Sequence, residues 1–137
     1  MSIVLAHVPN ALGETALRFA INEASVHHTK LVVVNSSRGG ALGDPHLASQ
    51  EQLDELRDLA TQAGVEVEVE QPIRNEDPDF EVIDAATRHD AIMIVLAVRR
   101  RSTVGKLVMG STAQRILMEA DIPVVAVKPA VPRPTRH

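Results

Sequence analysis

Arg99, Arg100, Arg101 and Lys106 put four cations within eight residues of a chain whose formal net charge is −4. A local basic cluster on an acidic chain suits a small anion better than a polymer, because duplex binding draws on a broad positive surface. The cluster runs into Gly110-Ser111, where a helix is expected to open. The first amides of a helix have no partner inside it, and the helix dipole adds positive potential there. Ser111 offers either a capping hydroxyl or a bond to a phosphate oxygen. A plain solvated basic loop stands as the alternative.

Other patterns carry less. Gly105-Lys106 looks like part of a phosphate-binding P-loop, but Leu107 stands where the magnesium-binding hydroxyl belongs and no glycine lies five residues earlier. No G-x-G-x-x-G follows any strand, so a dinucleotide fingerprint is absent. Of the histidines, His27-His28 ends a helix, where cations are favoured. His7 lies at the carboxyl end of the first strand and is either a site-lining group or a packed one. No nucleophile-elbow pattern supports a catalytic triad. Asp77, Asp79 and Glu81 read as helix-start charges. No metal site is expected.

The elements that must carry these groups follow from hydrophobic period. Continuous apolar runs predict strands at Ser2 to Val8, Leu31 to Val34, Ala91 to Val98 and Val124 to Val127. Val65, Val67 and Val69 alternate with Glu66, Glu68 and Glu70, which predicts a strand near a sheet edge. Leu17, Ala20, Ile21 and Ala24 give a helix from Glu14 to His27 after a turn at Pro9 to Gly13. Leu53, Leu56, Ala60 and Ala63 predict a second helix, ended by Gly64. Asp77-Pro78 predicts the start of a third, with the carboxylate capping it and Val82, Ile83 and Ala86 facing the core. A loop over Arg99 to Lys106 precedes a fourth, with Ala113, Ile116, Leu117 and Ala120 on its buried face. The order predicts a five-stranded parallel sheet with helices on both faces. Ligands of such sheets bind beyond the carboxyl ends of the strands.

Composition narrows the function. Residues 1–128 are expected to form one domain, and residues 129–137, with three prolines and two arginines, a flexible tail. Apolar residues make up 45% of the chain but aromatics only 1%, Phe19 and Phe80, so the core must be aliphatic and stacking platforms for single-stranded nucleic acid are absent. Zero cysteines exclude disulfides and thiolate chemistry. Met1 to Leu5 has no basic n-region, and the longest apolar run, Ala91 to Val98, is far short of a bilayer span. The expected protein is cytoplasmic and bound to neither membrane nor nucleic acid.

Three stretches carry a family resemblance: Ala91-Ile-Met-Ile-Val-Leu-Ala97, Gly110-Ser-Thr-Ala-Gln-Arg-Ile-Leu117 and Ile122-Pro-Val-Val-Ala-Val127. With the opening strand, Ala16-Leu-Arg-Phe-Ala20 and Glu76-Asp77-Pro78, they resemble the universal stress protein family over nearly the whole chain. The resemblance implies strand order 3-2-1-4-5, an adenine-nucleotide alpha-hydrolase-like fold, a ligand cleft between strands one and four, and homodimers through the last strand, Val124 to Val127. It also implies a binding module in place of an enzyme, with ATP or another adenine nucleotide as the ligand. The family's G-x-x-G, nine residues, G-[ST] pattern falls on Ala97, Arg100, Gly110 and Ser111, so Ala97, Arg100, Arg101, Gly110, Ser111 and Thr112 are the expected phosphate residues. His7, Val8, Pro9 and Val34 fall at the nucleoside end, where Val8 replaces the family's aspartate and Pro9 lacks an amide donor. Arg100 either blocks the phosphate approach or bonds the phosphate with Arg101. Two readings follow: a stress-response regulatory module holding a phosphate-bearing ligand, or a homodimeric interaction protein with a vestigial cleft.

Overall fold

The computed structural model describes residues 1–36, 47–72, 77–100 and 107–129, with Arg100 and Leu107 described through their backbone alone. Glu76, Arg101, Gly105, Lys106 and the expected tail beyond Pro129 lie outside the described residues.

Strand β1 (Ser2–Ala6) sits at the centre of the sheet, and its Ile3, Val4 and Leu5 are wholly buried. Burying such a side chain contributes roughly 1.5–3 kcal/mol. After it come helix α1 (Ala11–Val26), strand β2 (Lys30–Val34), helix α2 (Gln50–Gln62), strand β3 (Val67–Glu70), helix α3 (Pro78–Arg88) and strand β4 (Ala91–Ala97). A short antiparallel ribbon, β5 (Arg99–Arg100) with β6 (Leu107–Val108), then leads into helix α4 (Ser111–Glu119) and strand β7 (Val124–Val127).

The main sheet runs β3-β2-β1-β4-β7 with every pairing parallel. Counting its five strands alone, the order is the expected 3-2-1-4-5. Alternation along the strands divides the core in two. Ile3, Leu5, Leu31, Val33 and Val95 face α1 and α2, while Val4, Val32, Ile94 and Leu96 face α3 and α4. Both faces are therefore covered, which is why these strands read as continuous apolar runs. The helices start beyond the carboxyl ends of the strands before them, as crossover connections between parallel strands require.

Several expectations need correction. Strand β1 ends at Ala6, two residues short of Val8, and the turn is shorter than Pro9 to Gly13 because α1 begins at Ala11. The reason is Asn10, whose side-chain oxygen accepts from Gly13 N at 2.8 Å and so caps the helix. Strand β3 begins at Val67; Val65 N is taken by Ala60 O at the end of α2, where Gly64 adopts φ +71°. Asp77 is the N-cap of α3 by backbone but makes no capping bond; its carboxylate lies 3.6 Å from Arg115 of α4. The segment after β4 is not wholly loop, since Arg99–Arg100 pair with Leu107–Val108. In α4 only Ile116 is buried, and Leu117 is 47% exposed, because this nine-residue helix packs chiefly against α3.

Candidate functional site

A cleft of about 400 Å3 opens at the carboxyl end of the sheet. Its floor is made by Ala6, His7 and Val8 after β1, Val34 and Ser36 after β2, and Leu96 and Ala97 of β4. Its walls are the starts of three helices: Asn10, Leu12 and Gly13 at α1, Pro78 and Val82 at α3, and Gly110, Thr112, Ala113 and Ile116 at α4. The ribbon adds Arg99 and Val108. Convergent helix N-termini place unpaired amides and positive dipole ends around one volume. Among the described residues, Arg99 is the one formally charged side chain that lines it.

Local sequence explains the close packing at α1. A Cβ on Gly13 would stand 1.6 Å from Val8 O, so only glycine lets the first turn of the helix lie against the end of β1. Asn10 N also donates to Val8 O at 2.9 Å. Val8 is thereby held by its backbone, whatever its side chain.

His7 extends the β1 ladder by one bond, its N–H donating to Val34 O at 2.9 Å. The residue is 8% exposed, and its Nδ1 is buried with no hydrogen-bond partner. Burial lowers its pKa from 6.5 to about 4, so the ring is neutral near pH 7. An unanswered buried polar atom costs about 1–3 kcal/mol. The His7 carbonyl accepts from Asn35 Nδ2 at 3.1 Å. Asn35, wholly buried, also accepts from Ala48 N at 2.6 Å and Gln71 Nε2 at 3.0 Å. That one amide thus ties the end of β1 to the approach to α2 and the residue after β3.

The structure brings His7, Val8, Val34, Ala97, Gly110 and Thr112 to the cleft, but not Ser111 or Pro9. Ser111 is the first residue of α4 and is exposed, while Gly110 is the N-cap and carries no side chain to bond. A capping role for Ser111 is therefore corrected. The Arg100 backbone pairs with Leu107 in the ribbon. The family pattern passes over Arg99, Leu12, Gly13 and Asn35. For Arg99 the sequence held no distinguishing signal among three consecutive arginines, because its place depends on pairing with Val108. Asn35 stands directly after the apolar run Leu31 to Val34, where a lone amide marks a strand end needing a buried partner.

A second cluster lies at the β3 edge. Glu68, Glu70 and His89 have ligand atoms within 4.8 Å of one another, a spacing that a metal ion tolerates. Lys30 Nζ already lies 3.0 Å from Glu68, and Arg88 grips Glu70 through two bonds of 3.0 and 2.6 Å. Two carboxylates answered by two cations make an ion-pair network, which a metal would have to dismantle. The Arg88 hydrogen bonds, and then His89, hold the Glu70 pKa down from 4.5 to about 2.

The sequence pattern of the Universal stress protein family matches residues 1–128. A universal stress protein of Mycolicibacterium smegmatis is 35% identical over 127 residues, covering 93% of this chain and 97% of that protein. A solved universal stress protein structure from Archaeoglobus fulgidus superposes with a TM-score of 0.76 at 31% identity, over 91% of this chain and 96% of that one. Another from Archaeoglobus fulgidus, in complex with dAMP, has a TM-score of 0.70 at 26% identity, over 91% and 94% of the two chains.

Proposed function

Given that the chain belongs to the universal stress protein family, we propose that its cleft binds an adenine nucleotide and that occupancy regulates a partner in the stress response. The observation that carries this is the convergence of the α1, α3 and α4 N-termini on one cleft with the Arg99 side chain at its rim. In this reading the phosphate sits at the start of α4, against the Gly110 and Thr112 end, where unpaired amides and the guanidinium favour negative charge. The nucleoside lies toward β1 and β2, between Val8, Leu12 and Val34. The related Archaeoglobus fulgidus protein holding dAMP supports a monophosphate of this class, and ATP is the larger alternative. Arg101 and Arg100 are the further candidates for phosphate contact on the same segment.

The module acts without chemistry of its own, as a cytoplasmic homodimer paired through Val124–Val127. That edge supports the reading: all four of its residues are apolar and none is fully buried. No helix among the described residues is long and apolar enough to cross a membrane.

Isothermal calorimetry with AMP, ATP and cyclic AMP tests the proposal. Wild type is expected to bind at least one of them, and Arg99→Glu to weaken that binding about tenfold or more. Failure of all three to bind favours the second reading, an interaction protein whose cleft is vestigial. Val8 and Pro9, which replace an acid and remove an amide donor, are the observations behind that second reading.

A further inference from the structure

We propose that His7 is the specificity-determining residue of the cleft, its ring hydrogen-bonding the edge of a nucleobase lodged among Val8, Leu12 and Val34. The inference rests on the nucleotide reading above and adds which group reads the base.

Three observations carry it. His7 lines the cleft on its β1–β2 side, fixed there by the 2.9 Å bond from its N–H to Val34 O. The start of α4, which offers the amides for an anion, follows β4 on the other side of β1. The two ends of the cleft are therefore chemically distinct, with dipole and guanidinium at one and a neutral ring at the other. Second, the residue is more than nine-tenths buried and its Nδ1 has no partner. A buried polar group with no internal bond to satisfy it is poised for an external one. Third, the surroundings select for a base. Val8, Leu12, Val34 and Ala6 offer apolar contact, and no carboxylate lines the cleft among the described residues to bind a sugar diol. An apolar slot with one neutral donor–acceptor group is what the flat face and polar edge of a purine require. A neutral imidazole has one N–H and one lone pair, so it can answer a donor or an acceptor on that edge. The Asn35 amide that grips the His7 carbonyl at 3.1 Å fixes the backbone from which the ring projects.

The test compares AMP with ribose 5-phosphate, which lacks the base, and inorganic phosphate, on the full chain. Wild type is expected to prefer AMP over ribose 5-phosphate by at least about tenfold. His7→Phe, which keeps the bulk and removes both nitrogens, is expected to cut AMP affinity about tenfold and leave ribose 5-phosphate and phosphate unchanged. His7→Gln, which keeps a donor and an acceptor, is expected to restore part of the preference. Should His7→Phe fold poorly, nitrogen NMR of the wild-type ring decides: its signals shift with AMP and not with ribose 5-phosphate. Equal weakening of both ligands in His7→Phe, an unchanged AMP affinity, or ring signals indifferent to AMP would overturn the assignment while leaving the nucleotide reading intact. No AMP binding by wild type overturns both.

Discussion

The Glu70 carboxylate meets His89 Nε2 at 2.6 Å across the gap between edge strand β3 and the end of α3. The other ring nitrogen, Nδ1, faces Lys30 Nζ at 3.2 Å. An ammonium has no lone pair to give, so Nδ1 accepts and Nε2 carries the proton toward Glu70. One histidine thus joins β2, β3 and α3, and the sheet edge is held by side chains where it has no further strand. Glu70→Gln should destabilise the protein by about 1–2 kcal/mol near pH 7, the exposed half of Arg88 tempering the loss. Because the folded Glu70 pKa of about 2 lies below 4.5, its contribution is present above pH 4.5 and lost as pH falls toward 2. Urea denaturation of both proteins at about pH 7 and pH 3 checks this; an equal gap at the two values would contradict it.

His7 adds a loss of the same sign at milder acidity. Its pKa is about 4 when folded and 6.5 when free, so as pH falls below 6.5 the unfolded chain takes up the proton first. Stability is therefore expected to decline from pH 6.5 to 4 by at most about 3 kcal/mol from this ring. In His7→Phe that part of the decline should vanish. Parallel pH–stability curves for the two proteins would show that the ring stays solvated.

Gly13→Ala should be severely destabilising, by about 3 kcal/mol or more. The added methyl would collide with the Val8 carbonyl, a backbone atom that no rotamer change can remove. Thermal unfolding read by circular dichroism measures the loss, and a midpoint close to that of wild type would refute the packing described.

Ser49→Ala should cost about 1 kcal/mol. Ser49 Oγ accepts from Gln52 N at 3.2 Å while Gln52 Oε1 accepts from Ser49 N at 2.8 Å, a reciprocal pair at the start of α2. The denaturant midpoint should fall with an unchanged slope.

What the sequence made legible was whatever hydrophobic period controls. Buried β1, β2 and β4 announced themselves as unbroken apolar runs, and the Glu–Val alternation marked β3 as an edge, which it is. Gly64 and Pro78 located a helix end and a helix start by backbone chemistry alone. The misses share a cause, which is competition among partners distant in sequence. Asp77 could cap its own helix, yet it lies by Arg115 of the following one. The Arg99–Arg100 pairing needed Leu107–Val108 to return alongside, and nothing in a run of three arginines declares a ribbon. Family resemblance aligned Ala97, Arg100, Gly110 and Ser111 by count, but a count does not tell that Gly110 lines the cleft while Ser111 is the exposed first residue of α4.

The seating of Gly13 on the Val8 carbonyl has a mechanical corollary. Helix and strand touch there atom to atom with no compressible side chain between, so the floor of the cleft has no slack on its α1 side. Room for a larger occupant must come from the other walls, the starts of α3 and α4 and the paired strands β5 and β6. Size tolerance is therefore set at those walls, and changing Arg99 or Val108 should retune which guests fit without unsettling the base beneath.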